Sequence, residues 1–233
     1  MIIDKIIAEI RNNASEDYAI FHRKLIRAEN GYGKGDIVIG CRVPLLRKIS
    51  QKYCDDVSTD DLLKLLRSEY HEARALALII MLCRFRQGKD DASRHKIVDM
   101  YLSNTKFINN WDLVDISCSY IIGVYFPSND PIFEKLSESS NLWENRIAMV
   151  STHNFIRQND FVLTLRLCEK FMKHQHHLIH KACGWMLREI GKRNEKTLIA
   201  FLSKHHKRMP RIMLSYANER LKMFFSDLSC RHQ

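Results

Sequence analysis

The sequence is poor in the residues that build tight turns, with only 8 glycines and 4 prolines. An all-β fold needs turn residues between its many short strands, so this composition argues against one. Alternation of apolar and polar residues, the pattern of a half-buried strand, is also scarce. No apolar run approaches the roughly 20 residues of a membrane-spanning helix. We therefore expect a helical protein that does not cross a membrane.

Cysteine spacing also excludes several classes of protein. The chain has seven cysteines, an odd number, and no two of them are spaced as CxxC. Several fall on apolar helix faces, where a thiol behaves as a small hydrophobic group. This pattern argues against a disulfide framework or a zinc finger and indicates a reducing compartment. The N-terminal segment MIIDKIIAEI carries three charged residues and is too broken for a signal peptide, so we expect a cytoplasmic protein.

Familiar catalytic motifs are missing as well. The sequence has no GxSxG, no HExxH and no cysteine with a recognisable histidine partner. The glycine-rich stretch NGYGKGDIVIG (30–40) lacks P-loop spacing and follows no strand, which predicts a mobile loop joining the first helices to the body. In KHQHHLIH (173–180), His176 and His180 have the spacing of a metal pair, but no carboxylate or cysteine is near in sequence. A solvated helix start is the better interpretation, and we predict no metal and no cofactor.

Positive charge is abundant, with a formal net charge of +10 and a pI near 9.3. Such an excess indicates a polyanionic partner, most simply nucleic acid, although solubility alone is an alternative. A basic run, KHHKRMPR (204–211), separates the last two predicted helices; it is either a solvated loop or a contact with a nucleic-acid backbone. The residues that we consider as possible backbone contacts are Arg42, Arg47, Lys48, Lys181, Arg188, Lys207, Arg208 and Arg211.

Helical periodicity recurs along the whole chain. Two helices are predicted at 1–12 and 15–29. Five helix pairs follow, at 59–68 with 70–86, 91–103 with 109–125, 130–138 with 142–157, 160–172 with 176–191, and 194–205 with 209–225. The second helices begin roughly every 33 to 40 residues, the range of helical-repeat arrays. Because one pair cannot bury its own apolar face, we predict an all-α solenoid of stacked pairs, with a concave, basic face for an extended ligand such as a duplex.

The segment NNWDLVDISCSYIIGVY, from Asn109 to Tyr125, carries the most informative pair of residues. We predict one continuous helix whose buried stripe consists of Leu113, Ile116, Tyr120 and Val124. Trp111 and Asp115 lie four residues apart and so share a face, which is rotated away from that stripe. Asn109 or Asn110 can cap the helix, and Asp112 then lies in the first turn, where the helix dipole favours its charge. Asp112 thus has a structural explanation, whereas Asp115 has none.

Two further residues stand out nearer the C-terminus. Trp185 lies off the buried stripe of its helix, flanked on its own face by Lys181 and Arg188. Core packing is the more frequent role of a tryptophan, and a contact surface is the alternative. The neighbouring Gly184 is unusual inside a helix and indicates close helix packing. Arg146 opens another predicted helix, where it either pairs with Glu144 or a neighbouring helix, or clamps a phosphate with its guanidinium fork.

These motifs together resemble the AlkD-type DNA alkylation repair family. The resemblance rests on NNWDLVD with Trp111 and Asp115, on WENRIA with Arg146, and on KACGWMLRE with Trp185. It extends to GCRVPLLRKI near Gly40 and to MPRIMLSYANERL near the end, and so covers most of the chain. The resemblance implies a HEAT-like helical-repeat DNA glycosylase that removes N3- and N7-alkylated purines without base flipping. It further implies that Asp115 is the catalytic carboxylate, that Trp111 and Trp185 contact the sugar and backbone of the damaged nucleotide, and that Arg146 contacts phosphate.

From the resemblance we expect a single domain over 1–233 that acts as a monomer on duplex DNA containing alkylated purines, within base excision repair. The chemistry agrees with this expectation, because an alkylated purine is already cationic and is a good leaving group. Such a substrate needs a carboxylate near the developing oxocarbenium ion more than it needs a strong general acid. The alternative is a helical-repeat module that binds DNA or RNA without excising a base. A protein-interaction scaffold, a third class, would need neither Asp115 between aromatics nor a basic groove.

Overall fold

The computed structural model describes residues 2–29 and 31–221, and within them regular structure is entirely helical. The all-α prediction is therefore confirmed. The helices are α1 (Ile2–Asn12), α2 (Glu16–Leu25), α3 (Val43–Tyr53), α4 (Thr59–Leu66), α5 (His71–Gln87), α6 (Asp91–Leu102), α7 (Trp111–Asp115), α8 (Cys118–Tyr125), α9 (Ile132–Glu138), α10 (Leu142–Ser151), α11 (His153–Arg157), α12 (Val162–Phe171), α13 (His177–Arg193), α14 (Glu195–His205) and α15 (Arg211–Asn218). A short 3-10 helix covers Thr105–Phe107. The predicted end of the last helix, at 225, lies outside the described residues.

The chain divides into two compact units, Met1–Ile121 and Ile122–Gln233. In the first unit, α5 is the central helix: α3, α4, α6 and α7 all pack against it. Most of its residues are buried, so it is apolar around nearly its whole circumference, as a helix enclosed by neighbours must be. The charged residues His71, Glu72 and Arg74 are buried in its first turn. Each of these three side chains therefore requires a partner.

In the second unit, α13 has the equivalent central place, with α10, α11, α12, α14 and α15 packed against it. Its buried stripe includes Ile179, Cys183, Met186 and Ile190, as the periodicity predicts. Gly184 is buried where α15 crosses, and a Cβ at this position would lie 2.5 Å from the Met213 carbonyl oxygen. The predicted close helix packing at Gly184 is confirmed.

We expect Gly184→Ala to lower the free energy of unfolding by about 1–3 kcal/mol, because α15 must shift to admit the methyl group. Gly88→Ala is the control, since the nearest atoms to an added Cβ there belong to the side chains of Ser93 and Arg94. Urea unfolding followed by circular dichroism measures both variants. Equal stabilities of the two variants would contradict the close approach of α13 and α15.

The prediction of one continuous helix from Asn109 to Tyr125 is wrong. The segment forms α7 and α8, separated by a turn at residues 116–117. The Ser117 hydroxyl donates to the Leu113 carbonyl oxygen at 2.7 Å and so takes the acceptor that a continuous helix would offer to the Ser117 amide. The amide of Ser117 instead donates to Val114, at 3.1 Å, which tightens the turn.

This break also changes which residues of the segment are buried. Leu113 is buried as predicted, but Ile116 and Tyr120 are only partly buried and Val124 is 47% exposed. Val114 and Cys118 are buried in the core instead. The predicted stripe assumed a single helical phase, and the turn at 116–117 interrupts that phase.

The last part of the glycine-rich loop, residues 37–40, is anchored to its surroundings, which differs at these residues from the expectation of a mobile connection. The buried Glu72 carboxylate accepts hydrogen bonds from the Ile39 amide at 2.9 Å and the Gly40 amide at 2.7 Å. Backbone bonds join Ile37 to Glu69 and to His71. The loop is therefore held against the first turn of α5.

The six cysteines within the described part of the chain are all free, and Cys230 lies outside it. No helix in the same part of the chain combines the length and the apolar character that crossing a membrane requires.

Candidate functional site

In the first unit, α7 carries both Trp111 and Asp115, and both side chains are partly exposed while Leu113 and Val114 between them are fully buried. Asn110 is the N-cap, because its side-chain oxygen accepts from the Trp111 amide at 2.8 Å. Its amide nitrogen donates to the Ile26 carbonyl oxygen at 3.2 Å, which ties the start of α7 to the end of α2.

The carboxylate of Asp115 lies close enough to the buried hydroxyl of Tyr101 to affect it. Burial raises the pKa of Tyr101 well above its usual value, and the negative charge of Asp115 adds to this effect. Tyr101 shares a hydrogen bond of 2.9 Å with the Ser117 hydroxyl, directly behind α7. The catalytic role of Asp115 and the contact role of Trp111 stay predictions.

Asp112 lies in the first turn of α7, as predicted, but capping is only part of its role. Its Oδ2 accepts from His71 Nε2 at 2.7 Å and lies 3.4 Å from His22 Nε2. Burial alone would raise the pKa of Asp112, but the charge of His71 and the hydrogen bonds from both histidines outweigh it and hold the pKa well below its usual range. Asp112 is therefore an ionised member of a buried network.

His71 is the centre of this network. Its side chain is 1% exposed, its Nε2 bonds Asp112, and its Nδ1 lies 2.9 Å from Asp36 Oδ2. A carboxylate on each ring nitrogen requires a proton on each, so the ring is an imidazolium. Burial disfavours that charge, but the two carboxylates outweigh burial and raise the pKa of His71 to about 9.

Asp36 and Arg74 complete the network on the other side of His71. The Arg74 guanidinium forms an ion pair with Asp36 Oδ2, and both side chains are almost fully buried. Although burial would raise the pKa of Asp36, the bonds from His71 and Arg74 lower it below its usual value. The negative charges of Asp36 and Asp112 are thus balanced by the positive charges of Arg74 and the protonated His71.

Sequence reasoning missed this network, although one signal was present. The segment HEAR (71–74) is noticeable as an echo of WENR (143–146) at another helix start, but its partners come from three other parts of the chain. His71 and Asp112 are 41 residues apart in sequence. No periodicity connects residues at such a separation.

The network also contains a group with the composition of a metal site. Within the described residues, His22, His71 and Asp112 are the one set of three such ligands whose donor atoms lie within 4.8 Å of one another. Ligand atoms around a tetrahedral zinc ion stand about 3.3 Å apart. The 2.7 Å distance between His71 Nε2 and Asp112 Oδ2 is instead that of a direct hydrogen bond. The geometry therefore fits an ion pair better than a metal centre.

In the second unit, Trp185 lies on α13 and is partly exposed, so it is not a fully buried core residue. Its Nε1 donates to Glu189 Oε1 at 3.2 Å, and its ring lies 6.0 Å from the ring of His153. Of the two cations on its face, Arg188 forms ion pairs with Glu189 and Glu219. The contact of Trp185 with DNA stays a prediction.

Arg146 on α10 is 5% exposed, and its Nη1 donates to the Leu178 carbonyl oxygen at 2.8 Å. This bond joins α10 to the first turn of α13 and gives Arg146 a structural role. The predicted contact with phosphate is a separate, second role and stays a prediction.

The predicted backbone contacts differ in exposure. Six of them are exposed, namely Arg42, Arg47, Lys48, Lys207, Arg208 and Arg211. The guanidinium of Arg42 lies over the Tyr18 ring, 4.8 Å from its centroid. Lys181 and Arg188 are partly buried. Within the basic run, His205 is buried and bonds Arg208 through its Nδ1, so the run is only partly solvated.

The histidines of segment 173–180 begin α13 but are not simply solvated. His176 is the N-cap, and its Nδ1 accepts from the Leu178 amide at 3.2 Å. His174 bonds Asn145 and accepts from the His176 amide. Burial lowers the pKa of His174 and of His180, so these rings are neutral at pH 7. They are better described as parts of the helix start than as metal ligands.

The helix pairs and the central helices α5 and α13 define a helical-repeat protein. A sequence model of the DNA alkylation repair enzyme family matches residues 6–221. The chain therefore belongs to the DNA alkylation repair enzyme family, as the sequence motifs predict.

A solved structure agrees with the fold. The structure, described as a predicted DNA alkylation repair enzyme from Enterococcus faecalis, superposes with a TM-score of 0.70 over 91% of this chain and 98% of that one. The two sequences are 13% identical, so this likeness concerns the fold alone. No curated protein sequence matches the chain.

Proposed function

We propose that this protein is a monofunctional DNA glycosylase that hydrolyses the N-glycosidic bond of cationic N3- and N7-alkylated purines in duplex DNA. Examples are 3-methyladenine and 7-methylguanine, removed as the first step of base excision repair. The observation that carries the proposal is the partly exposed Asp115 one turn behind a partly exposed tryptophan, on a short helix of an alkylation repair protein. The chemistry requires no metal or nucleotide cofactor, and a monomer suffices for it.

The positive charge of the lesion determines what the protein must supply. As the bond between C1′ and the base nitrogen breaks, its electron pair moves to the base, which leaves uncharged. Positive charge then develops on the sugar, and the Asp115 carboxylate stabilises it electrostatically. Water adds to C1′, its proton passes to Asp115 or to solvent, and an abasic site remains. A neutral base would need a general acid to leave, so a single carboxylate selects for cationic lesions.

The two tryptophans and Arg146 have binding roles in this proposal. The rings of Trp111 and Trp185 contact the sugar and backbone of the damaged nucleotide, where an aromatic face also attracts the developing positive charge. Arg146 contacts phosphate, and its bond to Leu178 holds the side chain in place. Because these contacts are to sugar and backbone, the lesion can react without being flipped into a pocket, unlike in most glycosylases.

The test is incubation of the protein with methylated duplex DNA, followed by chromatography of the released bases. We expect release of 3-methyladenine and 7-methylguanine and no release of unmodified purines. Binding to the duplex with no release of any base would instead establish the non-catalytic DNA-binding module.

We also expect binding to DNA to weaken steeply with salt and to depend little on sequence. Each phosphate neutralised by a lysine or arginine adds about 0.9 to the slope of log affinity against log salt. Replacing the exposed Arg47 or Lys207 by Ala should lower the magnitude of the slope by about 0.9, which is the contribution of one phosphate contact. Lys196→Ala, an exposed residue outside the predicted set, is the control. Fluorescence anisotropy between about 50 and 200 mM salt measures the slopes, and no change for Arg47→Ala or Lys207→Ala would remove these residues from the interface.

A further inference from the structure

We propose that the ion pair between His71 and Asp112 positions α7, and with it Trp111 and Asp115, for the proposed excision reaction. This inference rests on the proposed function. His71 and Asp112 are positioning residues in it, because they act through α7 rather than on the lesion. His22, Asp36 and Arg74 support the pair from the surrounding elements.

The first step of the argument is the length of α7. It has five residues, little more than one turn, and an isolated helix so short is not stable in water. Its orientation must therefore come from contacts with its neighbours. Besides the buried Leu113 and Val114, these contacts are the Asn110 cap at one end and the Ser117 hydroxyl at the other.

Asp112 supplies the directional contact. It follows Trp111 directly and precedes Asp115 by three residues, so fixing its carboxylate fixes the turn that carries both. A partly buried bond of 2.7 Å between an imidazolium and a carboxylate is charge-assisted and stronger than a neutral hydrogen bond. Apolar packing by Leu113 and Val114 is not directional and would leave the helix free to rotate by small amounts.

His71 is well placed to hold α7 rigidly. It lies in the first turn of the central helix α5, and its other nitrogen is fixed by Asp36, which Arg74 also holds. On the remaining side, the ring of His22 from α2 meets the His71 ring edge-on at 5.2 Å. The charge on α7 is thus connected to the most buried helix of the unit.

The surroundings of His71 decide the effect of pH. The charged and titratable side chains facing it or its direct partners are Asp36, Arg74, Asp112, His22, Tyr18, Arg42 and Glu72. The His71 pKa of about 9 exceeds the usual value near 6.5, so folding favours its protonated form. On the alkaline side, the stability from this pair is therefore fully present below about pH 6.5 and is lost as the pH rises through about 9. On the acid side, the lowered pKa of Asp112 means that this stability is lost as the pH falls below the usual aspartate pKa of about 4.

The test compares His71→Gln and Asp112→Asn with Arg84→Gln. Arg84 lies on the same central helix, α5, and donates to the carbonyl oxygens of Cys54 and Val57, which follow α3. It takes no part in the network around His71, so Arg84→Gln controls for a general loss of stability. Single-turnover release of 7-methylguanine is measured at a temperature where circular dichroism shows every variant to be folded. We expect His71→Gln and Asp112→Asn to lose at least tenfold in rate with duplex affinity unchanged, and Arg84→Gln to keep the wild-type rate.

Three readouts separate positioning from mere stability. The wild-type rate should fall as the pH rises through about 9, and that fall should be absent in His71→Gln. The double variant His71→Gln/Asp112→Asn should excise faster than expected from multiplying the rate losses of the two single variants. Each single variant leaves one charge of the pair without its partner, whereas the double variant removes both charges. Amide hydrogen exchange of residues 111–117 should rise selectively in His71→Gln, and this readout does not require excision.

The outcomes are distinguishable. If wild type releases no base but His71→Gln still loosens residues 111–117 selectively, the proposed function fails and the positioning of α7 stands. If His71→Gln and Asp112→Asn excise at the wild-type rate and show wild-type exchange, the positioning role is overturned. Stoichiometric zinc in the purified protein would also overturn it, since the histidines would then be ligands.

Discussion

Replacing Asp115 by Asn should abolish most excision while leaving the fold and DNA binding intact. Asn keeps the size of the side chain but removes the negative charge that stabilises the cationic sugar. Loss of one well-placed electrostatic group costs on the order of 100-fold or more in rate. Asp115 is partly exposed, so its substitution leaves no cavity in the core. The measurement is single-turnover release of 7-methylguanine from duplex DNA, with thermal melts alongside.

The control for this experiment must be an aspartate without a buried partner. Asp112 is unsuitable, although the sequence assigns it a capping role, because its charge pairs with His71 inside the protein. Asp60 is exposed in the first turn of α4, in the same unit, and Asp60→Asn should cost only a few tenths of a kcal/mol through the helix dipole. Trp111→Ala should lie between the two in rate. Excision by Asp115→Asn at the wild-type rate would show that another group is the catalytic carboxylate.

Replacing Glu72 by Ala should cause the largest loss of stability among single substitutions at polar residues of the first unit. The buried carboxylate accepts from the Ile39 and Gly40 amides, and Ala leaves both donors unpaired. An unsatisfied buried donor costs about 1–3 kcal/mol, so the two donors together predict a loss of roughly 2–6 kcal/mol. Glu72→Gln retains one acceptor oxygen and should lose less. Urea unfolding measures these differences.

Glu69→Ala is the matched control, because Glu69 is exposed and holds Ile37 only through its backbone oxygen. It should change the free energy of unfolding by less than about 0.5 kcal/mol. The same carboxylate of Glu72 also holds the loop that carries Asp36, so Glu72→Ala should loosen the partner of His71 as well. Equal stabilities of Glu72→Ala and Glu69→Ala would contradict the anchoring of the loop.

Much of the fold could be predicted because helix formation leaves a local signal. Apolar residues recur at helical spacing, and asparagine and serine stand at helix starts, so most helices were placed within a few residues. Gly184 predicted close packing because a helix tolerates glycine in its interior only at a cost. The break between α7 and α8 escaped this reasoning, because Ser117 has an ordinary place in a helical pattern until its hydroxyl takes the Leu113 carbonyl oxygen.

The residues of the candidate site also fall into two groups, those that the sequence predicts and those that only the structure reveals. Trp111, Asp115, Arg146 and Trp185 stand in ordered motifs, and these motifs determined the family from sequence alone. The sequence by itself thus determined the helical class, the family and the residues for which we propose a chemical role. It also determined the excess of positive charge, which depends on composition and not on folding.

Only the tertiary structure decided which charges are buried together. Asp36, His71 and Asp112 come from a loop and two helices that are distant in sequence, and each is an unremarkable polar residue in its own segment. Folding removes His71 and Asp36 from water and leaves Asp112 only partly exposed, so the imidazolium and the carboxylates must satisfy one another. That pairing makes Asp112, which the sequence explains only as a first-turn residue favoured by the helix dipole, the residue that connects α7 to α5. The energy of an ion pair depends on distance in space and not on distance along the chain.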